Sequence, residues 1–306
     1  MDMGYTRVNP FYLASIYGVT VLHRQLDKLL GAYINETNPG ILINSSRPTG
    51  LMNMTCAHEL GHFFLKHEST LDLKIEYGPH AALIEREADL FAYSLLTPSW
   101  LIPYVMNKKK WTIKDLTFPF FVYQLSLRLG LSYLATIHTI RRRRLISQTI
   151  ANKLAAVAPK TIKESMLNGK EYNAYRDVWL IDENDQGLTL EPRTGDTLIV
   201  HLPSHSTSGF TWNIESISDL GIKLNPILEH YSKINPDQNT RIGKTGSMDF
   251  ILDYEFSGER TARIELKEKR LFDPESPEID DLEFSSEFHS LLPGLSFLTK
   301  KKILEE

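Results

Sequence analysis

The chain has 306 residues, of which 42% are hydrophobic and 24% charged, and its formal net charge is −4. This composition is ordinary for a globular protein, and the length is sufficient for two domains that each bury an apolar core. It argues against a membrane-spanning protein, because no apolar run approaches the roughly 18 residues that a spanning helix needs.

The N-terminal segment Met1–Asn35 predicts a largely helical start, with apolar residues on one helical face at Phe11–Tyr17 and on another at Leu26–Leu30. It lacks a basic stretch followed by an apolar run, so we expect no secretion signal. The single cysteine, Cys56, excludes an internal disulfide framework and fits a reducing compartment. We therefore expect a cytoplasmic protein that does not associate with a membrane.

A short strand is predicted at Ile41–Ile43, directly after the turn signal Asn38-Pro39-Gly40. A strand at an exposed sheet edge can hold a peptide in an extended conformation, so its position before the next helix is of interest. The segment Ser45–Gly50 then predicts a loop.

The next helix, at about Leu51–His67, contains the motif H-E-x-x-H from His58 to His62. Residues i and i+4 of a helix lie on one face, so the imidazoles of His58 and His62 can bind one metal ion. Glu59 lies one residue further round the helix, where it can accept a proton without binding the metal. The alternative is an ordinary helix with two polar-facing histidines, which a third ligand would exclude.

A second helix is predicted at about Ala81–Leu96, because Thr97-Pro98 ends it. Glu85 and Asp89 lie beside its apolar face, where carboxylates are costly unless a positive charge compensates them. A zinc ion with Glu85 as its third ligand would do so, and Asp89 would orient one of the ligating histidines. Glu87 projects elsewhere and ranks lower as a ligand. The alternative is an exposed acidic strip that forms surface ion pairs.

The sequences AHELGHFFLKH (57–67), EREADLFAYSLLTP (85–98) and DKLLGAYINETNPGILINSSRP (27–48) together resemble the ImmA/IrrE-type metallopeptidases. The resemblance implies that His58, His62 and Glu85 bind Zn2+ and that Glu59 is the catalytic base. It also implies a zincin-like helical core and, as the substrate, a helix-turn-helix transcriptional repressor in a stress or mobile-element response. Cys56 departs from the family's usual aliphatic residue, and is either a responsive thiol or a small buried apolar side chain.

The segment Trp100–Tyr175 carries 13 basic and 3 acidic residues, whereas Arg176–Glu306 carries 14 basic and 25 acidic residues. Such a basic block can contact nucleic acid or an acidic partner, or can neutralise the acidic half of the chain. Charge alone does not separate these alternatives.

Within that block, Leu127–Ser147 resembles the helix-turn-helix-like segment that follows the peptidase core in the same family, with a turn at Leu131-Ser132 and a second helix at Leu134–Leu145. Four consecutive arginines at its end are candidate contacts to nucleic acid phosphates. These are Arg141, Arg142, Arg143 and Arg144. The alternative is a solvated helix end, where basic residues interact favourably with the helix dipole.

The C-terminal part changes to a period of two, as in Leu198–Leu202 and Ala262–Leu266, with turn signals such as Ser208-Gly209 between the runs. Several short strands of this kind predict an antiparallel β-sandwich.

Three stretches, GDTLIVHLPSHSTSGFTWNI (195–214), GKTGSMDFILDYEF (243–256) and KRLFDP (269–274), resemble the chagasin-like inhibitor fold, an immunoglobulin-like sandwich. The resemblance implies that three loops form a wedge that enters the cleft of papain-like cysteine peptidases. The third loop departs from the family, which usually has proline and tryptophan after the arginine. The corresponding residues here are His205, Ser206, Thr207, Ser208, Gly209 and Phe210, then Gly243 and Gly246, then Arg270, Leu271 and Phe272.

The sequence therefore predicts a multidomain α+β protein: a zincin-like core at 1–105, a helical segment and connector at 106–175, and a chagasin-like β-sandwich domain at 176–306. We expect a zinc-dependent endopeptidase whose C-terminal domain recognises substrate or regulates the enzyme. The alternative is a binding or inhibitor protein whose C-terminal loops engage a peptidase or another partner, while the basic middle segment contacts DNA. The oligomeric state is left open.

Overall fold

The structure is a computed structural model, and it divides the chain into two compact units. One unit comprises Thr6–Gly169 with Ser290–Glu306, and the other comprises Lys170–His289 with Met1–Tyr5. The residues that the structure describes are 7–36, 38–68, 70–72, 83–167, 169–215, 222–230, 246–254, 258, 260–270, 278–289 and 293–295.

The first unit begins with a mixture of helices and strands and continues as a run of helices. In chain order these are α1 (Pro10–Ile16), β1 (Thr20–Arg24), β2 (Gly31–Ile34), β3 (Gly40–Asn44), α2 (Thr49–Leu65), β4 (Thr70–Asp72), α3 (Leu83–Leu96), α4 (Leu101–Lys108), α5 (Pro119–Leu129), α6 (Tyr133–Arg142), α7 (Gln148–Ala155) and α8 (Pro159–Leu167).

The prediction of a largely helical Met1–Asn35 is wrong for most of that segment. Only α1 is helical among its described residues, where Asn9 accepts hydrogen bonds from the backbone N–H groups of Phe11 and Tyr12 as an N-cap. The chain then forms β1 and β2, and in β1 the buried Val21 and His23 alternate with less buried neighbours, as on the face of a sheet.

The helix α2 lies at the centre of this unit. Its residues from Met52 to His62 are all buried, because the helix contacts the sheet, α1 and α3 on different sides. A Cβ atom on Gly61 would lie 2.9 Å from the Cα atom of Ala88, so glycine is required where α2 and α3 approach. This close approach sets the separation between the motif histidines and the carboxylates of α3.

The described residues of the second unit form mainly strands. In chain order these are β5 (Val178–Asp182), β6 (Thr189–Leu190), β7 (Thr197–Ser204), β8 (Phe210–Ile214), β9 (Lys223–His230), β10 (Gly246–Asp253), β11 (Arg260–Arg270) and β12 (Asp281–Phe288).

These strands form two four-stranded sheets, in the orders β5-β7-β10-β9 and β6-β12-β11-β8. The period-two prediction is confirmed in β11, where Ala262, Ile264 and Leu266 are buried and their neighbours are not. In β7 it holds only in part, because Ile199 is buried as well as Leu198 and Val200. The prediction that all neighbours are antiparallel is wrong for two pairs, because β5 runs parallel to β7 and β6 runs parallel to β12. Alternation predicts a strand's faces, whereas the direction of its partner depends on distant residues.

After the second unit the chain returns to the first and forms β13 (Gly294–Leu295), which pairs antiparallel with β1. The first unit therefore has a five-stranded sheet in the order β13-β1-β3-β2-β4. The strand predicted at Ile41–Ile43 is confirmed as β3, but it is an interior strand between β1 and β2. The edges of this sheet, among the described residues, are β4 and β13, so a peptide cannot pair with β3.

No single helix among the described residues is long and apolar enough to cross a membrane. The helices α5 and α6, which are bent by 97° relative to each other, have together the length and the apolar composition of a membrane-spanning segment.

Candidate metal centre

The two motif histidines extend from α2 toward α3. His58 and His62 are 1% and 0% exposed, and each occupies the same face of α2, as their spacing of four residues requires. On α3, the side chain of Glu85 lies opposite them and is 22% exposed. The predicted ligands are therefore brought together at the junction of the two helices.

Three potential ligand atoms converge at this point. The Nε2 atoms of His58 and His62 are 3.1 Å apart, and Glu85 Oε2 lies 3.2 Å from the first and 3.7 Å from the second. With bonds of about 2.0–2.1 Å, the ligand atoms of a tetrahedral zinc ion lie about 3.3 Å apart. The observed separations bracket that value, so the donor set and its spacing fit zinc.

The remaining nitrogen of each histidine also has a partner. His58 Nδ1 lies 2.9 Å from Asp89 Oδ1, and His62 Nδ1 lies 2.9 Å from His67 Nδ1. When Nδ1–H donates to such a partner, the lone pair of Nε2 points toward the shared site. Both rings are thus held with an electron pair directed at one point, as metal binding requires.

The predicted base, Glu59, is completely buried and lies on the side of α2 that packs against β2. A Cβ atom on Gly31 of β2 would lie 2.8 Å from Glu59 Oε1 and 2.4 Å from Thr55 Cγ2. Glycine at this position therefore lets the strand approach the carboxylate closely. Gly31 has no distinguishing signal in the sequence, and only its place opposite Glu59 in the folded sheet separates it from other glycines.

Glu87, the lower-ranked ligand, lies away from the shared point. Its Oε2 atom is 3.4 Å from Nε2 of His67, a residue that the sequence analysis did not identify as functional. His67 follows the end of α2, and no spacing rule for helices places its side chain next to His62. A histidine shortly after a motif helix is the one local signal that would have suggested it.

Cys56 is completely buried within the apolar cluster that includes Phe11, Val21 and Leu60. Burial, reinforced by the nearby charge of Glu59, raises the pKa of its thiol well above the usual value. The thiol therefore stays protonated at neutral pH, and the description as a small buried apolar side chain fits it better than a responsive thiol.

The helices α5 and α6 cross at 97° and are joined by a short turn at Gly130–Ser132. The turn packs on the start of α2, because the side-chain amide of Asn53 donates to the carbonyl of Gly130 and a Cβ on Gly50 would collide with Leu131. The predicted second helix, Leu134–Leu145, is α6, which ends three residues earlier than predicted, at Arg142.

Two of the four candidate phosphate-binding arginines have intramolecular partners. The guanidinium of Arg142 lies 4.7 Å from the ring centre of Tyr93, and Arg143 donates to the carbonyls of Thr97 and Ser99 beyond the end of α3. Arg141 and Arg144 are exposed. Part of this basic run therefore holds α3, which carries Glu85, against the helices that follow.

The described residues of the candidate partner-binding loops lie at one end of the sheets of the second unit. A short turn at Ser206–Ser208 separates β7 from β8, Gly246 pairs with Ser204, and the guanidinium of Arg270 lies 4.8 Å from the ring centre of Phe210. Gly243, Leu271 and Phe272 lie outside the described residues.

Among the described residues of the second unit there are two further groups of histidine and carboxylate side chains, namely Glu191 with Glu287 and His289, and His205 with Glu268 and Asp280. In the latter group, Glu268 accepts from the backbone N–H of His205 at 2.8 Å, and its other oxygen lies 2.6 Å from His205 Nδ1. Both oxygens are thus engaged with one residue, which fixes the start of the Ser206–Ser208 turn.

Comparison with known proteins gives results for both parts of the chain. No curated protein matches it. Among solved structures, it is similar to the cysteine protease inhibitor EhICP2 from Entamoeba histolytica (18% identity, 37% of this chain and 97% of that chain, TM-score 0.28). Amebosin gives the same identity and coverage with a TM-score of 0.27. Residues 14–141, which contain every residue of the site on α2 and α3, match the family model of the IrrE N-terminal-like domain, peptidase family M78.

Proposed function

We propose that this protein is a zinc-dependent endopeptidase. The observation that carries the proposal is the convergence of His58 Nε2, His62 Nε2 and Glu85 Oε2 within 3.1–3.7 Å of one another, inside a segment that matches a peptidase family. A structural zinc site has no need of a buried carboxylate beside its ligands, and here Glu59 is buried on the same turn of the helix. The arrangement favours catalysis over a structural role.

In this proposal His58, His62 and Glu85 hold the ion, and Asp89 keeps the ring of His58 in the orientation that binding needs. Zinc, when bound, supplies Lewis-acid activation of water and of the scissile carbonyl. Glu59 accepts a proton from the attacking water and then donates it to the leaving amine. The low exposure of Glu59 keeps competing water away from its carboxylate.

We further propose that the substrate is a helix-turn-helix transcriptional repressor, cleaved in the cytoplasm in a stress or mobile-element response. This rests on the resemblance of the two motif helices to the ImmA/IrrE-type metallopeptidases. For the second unit we propose an immunoglobulin-like, chagasin-like arrangement whose loops recognise substrate or regulate the enzyme. The support is that the described parts of those loops lie at one end of the sheets.

The test uses the full chain and the repressor encoded beside its gene. Wild-type protein should cleave the repressor, and a zinc chelator should stop cleavage. Glu59→Gln should keep its zinc and lose about 10²–10⁴-fold in kcat, since that is the usual contribution of a general acid–base group. The matched control is Glu68→Gln, the same change at an exposed residue after α2, which should cleave normally. Unimpaired cleavage by Glu59→Gln would exclude Glu59 as the base.

A further inference from the structure

The end of α2 has an unusual backbone conformation. Lys66, the residue that ends the helix, has φ 58° and ψ 40°, a left-handed conformation that glycine adopts most readily. The backbone N–H of His67 then donates to the carbonyl of His62 at 2.9 Å. This reversal returns the imidazole of His67 to the last turn of the helix, beside the second motif histidine.

The contacts of His67 extend from a buried ring to an exposed carboxylate. Its Nδ1 atom lies 2.9 Å from His62 Nδ1, and its Nε2 atom lies 3.4 Å from Glu87 Oε2. The side chain of His67 is 9% exposed and that of Glu87 is 48% exposed. The rings of His62 and His67 are 5.0 Å apart at an angle of 64°, so the contact is between nitrogen atoms in an edge-on geometry.

The proton positions follow from the role of His62. If its Nε2 atom binds a metal ion, its single proton is on Nδ1, which then donates to His67 Nδ1. The proton of His67 must therefore be on Nε2, which faces Glu87. All three side chains are satisfied by this one assignment.

We propose that His67 and Glu87 are positioning residues that hold His62 in its metal-binding orientation. The proposal rests on the proposed function, since it assumes that His62 is a ligand. The two ligating histidines are then supported differently from the same helix: Asp89 contacts His58 directly, whereas Glu87 acts on His62 through His67. Glu87 lies two positions after Glu85 on α3 and points to another side of the helix. It therefore contacts the ring of His67, which in turn contacts His62.

Zinc affinity of the full chain, measured by competition with a chromophoric chelator, tests this role without reference to cleavage. His67→Leu should bind zinc about 10–100-fold more weakly, which is the usual effect of losing such a support. His67→Gln should recover most of the affinity, because its side-chain carbonyl can accept the Nδ1 proton of His62. Glu87→Gln should weaken binding less than His67→Leu.

Lys66→Gly is the matched control, because it alters the turn but no imidazole, and its zinc affinity should stay within about twofold of the wild-type value. Far-ultraviolet circular dichroism establishes that each variant is folded, and if His67→Leu is not, His67→Ala replaces it, with the same expected loss of about 10–100-fold in zinc affinity. Wild-type affinity in all three His67 and Glu87 variants would overturn the positioning role alone. A wild-type protein that binds no zinc would overturn the proposed function as well.

Discussion

The two units use the same pair of residue types, histidine and a buried carboxylate, for different purposes. In the first unit His58 divides its two nitrogens between Asp89 and Glu85, and its Nε2 atom also faces His62. In the second unit both oxygens of Glu268 are engaged with His205 alone. The first arrangement directs several electron pairs at one point, whereas in the second the two contacts tie one carboxylate to the start of a turn.

This difference shows that proximity of histidine and carboxylate groups does not by itself indicate a metal site. The completely buried Glu268 stabilises a turn, because a buried carboxylate must find hydrogen-bond donors wherever it lies. At the junction of α2 and α3, the outer nitrogens are engaged with partners of their own and the inner ones converge. The direction of the lone pairs therefore distinguishes a candidate metal site from a hydrogen-bonded pair that only stabilises a turn.

The largest effect should come from Glu85. Removing a ligand from the first unit by Glu85→Ala should weaken zinc binding by more than about 100-fold, which exceeds the effect of losing a residue that only supports a ligand. Glu87→Ala should weaken it by about tenfold or less, because Glu87 faces His67. Competition with a chelator measures both affinities. A greater loss of zinc affinity in Glu87→Ala would make Glu87, and not Glu85, the third ligand.

Gly31→Ala should separate catalysis from metal binding. The new Cβ atom would lie 2.4 Å from Thr55 and 2.8 Å from Glu59, so we expect a loss of about 1–3 kcal/mol in unfolding free energy and a displaced carboxylate. Cleavage should fall while zinc content stays normal. Gly40→Ala is the control in the same sheet, since its Cβ would meet only Thr20 at 3.7 Å. Equal activity in both variants would contradict a close fit around Glu59.

Glu268→Gln tests the supporting role in the second unit. A glutamine offers one acceptor where the carboxylate offers two, so one donor of His205 loses its partner. The expected loss is about 1–3 kcal/mol in urea unfolding, with unchanged zinc affinity. Glu278→Gln changes a 42% exposed partner of Lys267 and should cost at most about 1 kcal/mol. Reduced zinc affinity in Glu268→Gln would contradict the conclusion that Glu268 only stabilises a turn.

The smallest effect concerns His201, which pairs with Asp249 across β7 and β10. The hydrogen bond that His201 Nδ1 donates to the carboxylate of Asp249 raises the pKa of His201 above its ordinary value of 6.5. Its stabilising contribution is therefore fully present below pH 6.5 and is lost as the pH rises through the higher folded-state pKa. The stability difference between wild type and His201→Gln should be larger at pH 5.5 than at pH 8.5, and a difference that grows with pH would contradict this.

The sequence could predict the helices that carry the candidate site because their signals are local. The spacing of His58 and His62, the carboxylates of α3 and the proline after Leu96 all act within a few residues. It could also predict the strands of the second unit from their alternation. The order of those strands and the two parallel pairs could not be predicted, since they depend on contacts between distant segments.

The residues that the sequence analysis missed share a different property. Gly31 matters because β2 lies against Glu59, and His67 matters because Lys66 takes a left-handed conformation. Neither feature produces a repeating pattern of apolar residues in the sequence, and lysine does not favour the left-handed conformation. The helical prediction for Met1–Asn35 failed for a related reason, because isolated apolar residues fit either a helical face or a sheet that only later strands complete.

The pairing of β13 with β1 has a consequence for synthesis of the protein on the ribosome. The edge of β1 at residues 22–23 is made early, but its partner at residues 294–295 is added only after the whole second unit has been translated. During that interval the nascent chain presents an unpaired strand edge, the kind of surface that promotes association between incomplete chains. A truncated protein that stops before Gly294 would carry this edge permanently.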